Sequence, residues 1–433
     1  MPTNYNSLLV SGATGWHDGS QSILYSFLGS SIPTYYPVAA GQVDLGSAQV
    51  AEGTNVQMTA GEQALSLLAI QAWNAVANVN LVPGTISGTG GGGGSGGTTA
   101  PVTGSGTIVS GLGGTAGYGE QEMPRNDDGS TTVNISAVFE NGLNFFGNSY
   151  TSMFVNTNGN ISFNGAISTF TPSGITGATS PMIAAFWADV DTRTNGLPDS
   201  APIYVDVDPV ADVVTITWAN VGYYNTQANL LNTFQMQLFD RGGGDFDIVF
   251  RYQDINWTTG SASGGTGGLG GTPARAGYSA GNGTDFFELP QSGNQAAILN
   301  LENTLGNTGV QGLWVFQVRN GQVAVGDITF GAADMGDPSL FGFVSDFTGT
   351  LGTASVHGDL WINRGNTTQD AAAYGNSGWQ TYLHELGHAI GLHHPNEDPN
   401  NSAGDPTNNN QYTVMSYVAH PNEPSADPVS DLN

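Results

Sequence analysis

Apolar residues recur at three- and four-residue steps through Leu65, Leu68, Ala69, Ala72, Trp73 and Val76. That is the spacing of one face of an amphipathic helix. Thr59 and Glu62 stand ahead of them at capping-box spacing, so the helix is predicted to start there. A short strand is predicted over residues 79–82. From residue 84 to about 120 the chain turns to Gly, Ser and Thr, with Gly90 to Gly94 unbroken. Such a segment offers too little apolar area to order itself and reads as a linker. Helical periodicity is then lost over residues 121–320, where short apolar or alternating runs are punctuated by Asn-Gly, Gly-Asn and Pro turns. Runs at residues 153–155, 161–163, 203–205, 213–218, 234–239, 246–252 and 274–278 predict an all-β domain, sandwich-like in pattern. Beyond residue 321, strands are predicted at 327–330 and 360–362, and a second helix opens at Asn376, with Ser377 and Gln380 at capping-box spacing.

Composition changes this picture mainly through charge. The chain has 433 residues, of which 39% are apolar and only 10% charged; 35 acidic residues face 7 basic ones, every one of them Arg, for a net charge of −28. A field of that sign repels nucleic-acid phosphates and anionic lipid head groups, and it favours divalent cations. With no cysteine, a disulfide scaffold and thiolate metal sites are excluded, which leaves His, Asp, Glu and Tyr as ligands. The first residues lack a cationic and apolar leader, so no classical N-terminal signal is expected, and no apolar run approaches the length of a membrane span.

The second helix carries the chemistry. His384-Glu385-Leu386-Gly387-His388 sets two imidazoles at i and i+4 on one helical face, with Glu385 between them. Gly391 can end the helix and turn the chain back, so that His394 supplies a third nitrogen. Three neutral imidazoles suit zinc, while the spacing leaves cobalt and manganese open. His393 occupies a variable position of the pattern and is not expected to be a ligand.

His384 to His394, followed by Pro395, resembles the zinc-binding helix of the metzincins and, within them, the serralysin-like proteases. Thr413-Val414-Met415-Ser416-Tyr417 is similar to that family's Met-turn. The resemblance implies Met415 as an apolar base under the metal and Tyr417 as a displaceable fifth ligand. It also implies a secreted zinc metalloendopeptidase, in which zinc-bound water is deprotonated by Glu385 and a peptide lies along an edge strand near residues 358–362. The chain stops at Asn433 without the closing helix, calcium-binding repeats and C-terminal export signal of that family. It is therefore expected to be a piece of a longer product, with calcium as a second candidate cation.

Three further stretches resemble a nidogen-type extracellular domain: Val155 to Phe163, Ala184 to Asp191, and Ala276 to Ser279 with Phe286 to Ser292. The expected organisation is thus α+β. A metzincin-type zincin catalytic domain, a mixed twisted sheet with two long helices, spans residues 1–83 and 321–433. It is interrupted by the linker at 84–120 and by an all-β nidogen-like domain at 121–320. The alternative is an inactive or weakly zinc-binding adhesion protein acting through the nidogen-like domain, with extracellular matrix or cell-surface partners. Retention of Glu385 is the argument for the enzyme, since a structural zinc site needs no general base.

Overall fold

The computed structural model describes residues 23–27, 42–45, 48–51, 58–76, 81–83, 105–196, 199–283, 285–323, 328–335, 338–344, 358–370, 372–390, 392, 394–395 and 413–416. The chain divides into two compact units, one formed by residues 85–324 and the other by residues 1–84 together with 325–433.

The unit of residues 85–324 is built from antiparallel sheets. One has six strands in the order Phe286–Glu288, Arg275–Ser279, Met182–Trp187, Asn160–Ser162, Ser152–Asn156, Ser130–Asn134. The other runs Gln322–Val323, Leu313–Arg319, Asp245–Asp254, Gln227–Gly242, Val213–Tyr223, Ile203–Asp208, Gln121–Glu122, with Val190–Asp191 added beside Val213–Tyr223. Between them lies the largest apolar cluster, rich in aromatics: Phe186, Trp218, Phe234, Phe246, Phe250, Tyr252, Trp257 and Trp314 are all buried in it. Trp218 stacks on Phe234 with ring centroids 5.1 Å apart. The polar atoms of three of these rings are spent on backbone carbonyls. Trp218 Nε1 donates to Thr157 O at 3.1 Å, Trp257 Nε1 to Val221 O at 3.0 Å, and the Tyr252 hydroxyl to Ala185 O at 2.6 Å. The last of these ties a strand of one sheet to a strand of the other, which fixes their separation as well as satisfying the phenol.

The outer face of the larger sheet is also covered, and beside the apolar cluster of Val249, Leu313 and Val315 it carries polar residues. Gln235, Gln237, Thr215 and Thr217 are buried there. Gln235 exchanges hydrogen bonds with both backbone groups of Val109, at 3.0 and 2.9 Å, and Arg251 reaches the carbonyl of Ser105 and, at 2.8 Å, Gln237 Oε1. The end of the Gly/Ser/Thr-rich stretch is therefore laid along the sheet by side-chain to backbone bonds. Apolar content alone gave no sign of this.

The other unit holds a five-stranded sheet in the order Gly342–Val344, Gly358–Asn363, Ile328–Ala333, Ile23–Phe27, Leu81–Pro83, parallel except for Gly342–Val344. Gly331 lies beside Trp361 in register, and a side chain there would run into the indole ring. The Ala60–Val76 helix starts with the capping box: Thr59 N donates to Glu62 Oε2 at 2.6 Å and Glu62 N to Thr59 Oγ1 at 3.3 Å. Its most buried positions are Gln63, Ser66, Leu67, Ala69 and Ile70, whereas Leu65, Leu68, Ala72 and Trp73 are half-buried. The helix is apolar over more than one face, so packing, not periodicity, selects the inner one. Trp73 Nε1 donates to Leu383 O at 3.0 Å and so joins it to the Ser377–Ala389 helix. That second helix is capped by Asn376, whose side chain accepts from Trp379 N at 3.0 Å, one residue earlier than the Ser377 box.

The expected class, α+β with a metzincin-type zincin catalytic domain, is corrected by this architecture: the described chain is mainly β and sandwich-like. Among the described residues only Ala60–Val76 and Ser377–Ala389 are helices longer than four residues. The two helical signals were individually strong, but most of the buried apolar residues belong to the sandwich.

Trp218→Ala is expected to destabilise the sandwich by about 3–5 kcal/mol, through the cavity and the loss of the Thr157 bond, measured by urea unfolding. Pro83 and Ile328 flank Tyr25 on opposite sides at the same register, which puts the exit and re-entry of the chain two strand spacings, about 10 Å, apart. Replacing residues 85–324 by a short Gly/Ser bridge should therefore leave a folded unit with its helical circular dichroism intact. Loss of that signal would show that this unit depends on the sandwich.

Candidate metal centre

The Ser377–Ala389 helix places His384 and His388 one turn apart, and the chain after Ile390 folds back to bring up His394. Leu392 N donates to Gly387 O at 2.9 Å and Ile390 N to Leu386 O at 3.0 Å, closing the helix end. The three Nε2 atoms converge: His384 to His394 is 3.0 Å, His388 to His384 3.1 Å, and His388 to His394 3.1 Å. On the far side of the rings, His384 Nδ1 lies 2.9 Å from Val414 O and His388 Nδ1 2.7 Å from Leu392 O. A carbonyl oxygen can only accept, so both Nδ1 atoms carry the proton and both Nε2 atoms present lone pairs. Lone pairs that close repel one another, and a single proton relieves only one of the three contacts. A cation relieves all of them. The ligand separations in a tetrahedral site with zinc–nitrogen bonds of about 2.0–2.1 Å are about 3.3 Å, close to those found here.

Met415 is fully buried behind this cluster. A side chain at Gly387 would collide with its sulfur, so the glycine inside the His-Glu-x-x-His pattern is what lets the methionine approach the helix. Met415 N donates to Thr413 Oγ1 at 3.1 Å and Ser416 N to Thr413 O at 3.3 Å, which shape the turn. Glu385 is buried, packed near Gly342, and burial pushes its carboxyl up to about 8. Gly391, His393 and Tyr417 lie outside the described residues. Of the site residues proposed from sequence, the structure therefore brings together His384, His388 and His394, with Glu385 adjacent in the helix.

A second cluster carried no chemistry in the sequence reading. Asp127, Asp128 and Asp189 offer carboxylate oxygens within 4.8 Å of one another in the sandwich unit. Sixty residues separate their two segments, and only the pairing of strands brings them together.

Residues 151–198 and 203–320 match the family model of the nidogen-like domain. Alpha-tectorin of Mus musculus is 36% identical over 225 residues, which are 46% of this chain and 10% of the relative. Nidogen of Drosophila melanogaster is 29% identical over 45% of this chain and 15% of its own length. Dendrite extension defective protein 1 of Caenorhabditis elegans is 29% identical over 46% of this chain and 17% of its own length. The chain thus spans about a tenth to a sixth of the length of these relatives. The relatives are extracellular matrix proteins, and an extracellular place for this chain is consistent with that similarity. Among the described residues no helix is long and apolar enough to cross a membrane.

These findings overturn the identification as a serralysin-like metzincin and the assignment as a zinc metalloendopeptidase, together with the protease and hydrolase labels attached to it. The domain that matches is nidogen-like, and the relatives are non-enzymatic matrix proteins. The physical reason for the error is that the histidine spacing specifies a ligand set and not a reaction.

His394→Ala should weaken zinc or cobalt retention severely, while His393→Ala should leave it near parental, read by metal titration of the purified chain. Binding should also weaken as pH falls, because the imidazoles must be neutral to ligate. The reverse order of the two variants would move the third ligand to His393.

Proposed function

We propose that this chain is an extracellular adhesion protein that binds matrix components through its nidogen-like unit, with a zinc ion in a structural role at His384, His388 and His394. The observation that carries the adhesive reading is the nidogen-like match over the stretch that forms the sandwich, shared with alpha-tectorin, nidogen and dendrite extension defective protein 1. A sheet sandwich is a rigid platform, and loops and edges on such a platform are where partner recognition is placed.

The zinc reading rests on the donor chemistry. Three Nε2 atoms converge on one point, and two of the rings are oriented from behind by backbone carbonyls. Those carbonyls belong to Leu392 and to Val414, so an ion held by the rings also fixes the return of the chain after the helix and the Met415 turn. Zinc bound this way adds its binding free energy to folding. The excess of acidic side chains, 35 against 7, fits cationic partners and sets the sense of salt dependence.

The test is binding of the zinc-loaded chain to an immobilised extracellular matrix preparation, run beside a casein cleavage assay. Saturable binding that weakens with added salt, and no cleavage, is the expected result. Glu385→Gln should leave matrix binding unchanged. Zinc-dependent cleavage abolished by Glu385→Gln would overturn the proposal in favour of catalysis, and absence of matrix binding would remove its adhesive half.

A further inference from the structure

The Asp127, Asp128 and Asp189 cluster lies where the segment before Ser130–Asn134 meets the corner between Met182–Trp187 and Val190–Asp191. Its parts are held in place by bonds that leave particular oxygens over. Asp128 Oδ1 accepts from Asn158 Nδ2 at 2.8 Å, and Asn158 Oδ1 in turn accepts from Val190 N at 3.0 Å, so one buried asparagine pins both arms of the cluster. Asp127 Oδ2 accepts from Arg193 at 3.0 Å, and the same guanidinium reaches Asp191 at 2.6 Å. What remains is Asp189 Oδ2 and Asp127 Oδ1, each shielded from solvent and each without a donor among the described residues. The Asp189 side chain is almost wholly enclosed, its residue being 2% exposed. Gly260 faces it, and a side chain at that position would occupy the space of the Asp189 carboxylate.

A buried carboxylate oxygen with no donor is costly, and several in one place with a single guanidinium among them are costlier. Arg193 is committed to Asp191 and Asp127, leaving Asp128 and Asp189 without a compensating cation. Burial first, then the charges of Asp127, Asp128 and Asp191, push the Asp189 carboxyl up to about 7, and burial with Asp191 and Asp128 pushes Asp127 up to about 6.

We propose that Asp127, Asp128 and Asp189 bind a calcium ion in the nidogen-like unit. All donors are hard oxygens, which selects against zinc and copper. Their mutual separation, within 4.8 Å, fits inside a coordination sphere of radius about 2.3–2.6 Å. Calcium is favoured over magnesium because it accepts irregular sets of carboxylates, whereas magnesium retains several waters and demands octahedral geometry. The ion would clamp the segment before Ser130–Asn134 to the Val190 corner, coupling calcium level to the rigidity of that end of the sandwich.

The test uses the full chain stripped with a chelator and titrated with calcium chloride, with magnesium chloride as a parallel arm. The histidine centre does not confuse it, since imidazoles do not favour calcium. At calcium about a hundredfold above its Kd, the unfolding midpoint of the sandwich should rise by about 5–10 °C. Asp189→Asn and Asp128→Asn, each near-isosteric, should lower calcium affinity by about tenfold or more while far-UV circular dichroism remains parental. Asp128 is only partly buried, so its variant keeps the test decisive if Asp189→Asn fails to fold. An unchanged midpoint in calcium, an equal or greater effect of magnesium, or parental calcium affinity in Asp128→Asn would overturn the proposal.

Discussion

A polar atom taken out of water must find a partner, and in this protein that constraint shapes the sandwich more than its apolar area does. The core is dense with indole and phenol rings, and rings of that kind bring donors with them. Trp218, Trp257 and Tyr252 each direct that donor at a backbone carbonyl, and Tyr252 does so across the two sheets. Sheet spacing, the turn at Thr157 and the orientation of the aromatic stack are therefore set together. The same rule governs the outer face, where buried glutamines and Arg251 recruit the backbone of residues 105–109. A segment with few apolar residues is held down in part because the sheet beneath it has polar groups to satisfy.

The two clusters of metal-type side chains follow the rule from opposite directions. At the histidine cluster the backbone carbonyls of Leu392 and Val414 satisfy the rear nitrogens of His388 and His384 and turn their Nε2 lone pairs toward each other and toward His394 Nε2. At the aspartate cluster Asn158 and Arg193 satisfy some carboxylate oxygens and leave Asp189 Oδ2 and Asp127 Oδ1 over. In each case the surrounding bonds are complete enough to define what is left unmatched. Soft and borderline ions suit the first set of donors and hard ions the second.

Glu385 shows how a residue pattern can mislead about function. A carboxylate between two ligating histidines has the position of a general base, and that position drove the peptidase reading. The similarity of the chain lies elsewhere, with nidogen-like matrix proteins, and the residue sits buried near Gly342.

Several local features were legible in the sequence. The Thr59–Glu62 box, the helical placement of His384 and His388, the return of the chain to His394 and the burial of Met415 all depend on residues a few positions apart or on a strong spacing signal, and short-range geometry settles these. The strands of the sandwich were visible too, because alternation and Asn-Gly turns are local. Register, sheet order and the layer that dominates the molecule were not, since pairing such as Met182–Trp187 with Arg275–Ser279 joins positions far apart in the chain. Only tertiary structure could choose the buried face of Ala60–Val76, lay residues 105–109 over a sheet, or gather Asp127, Asp128 and Asp189 from two segments into one cluster. Those outcomes depend on which polar groups burial leaves in need of a partner, and that is a property of the packed molecule.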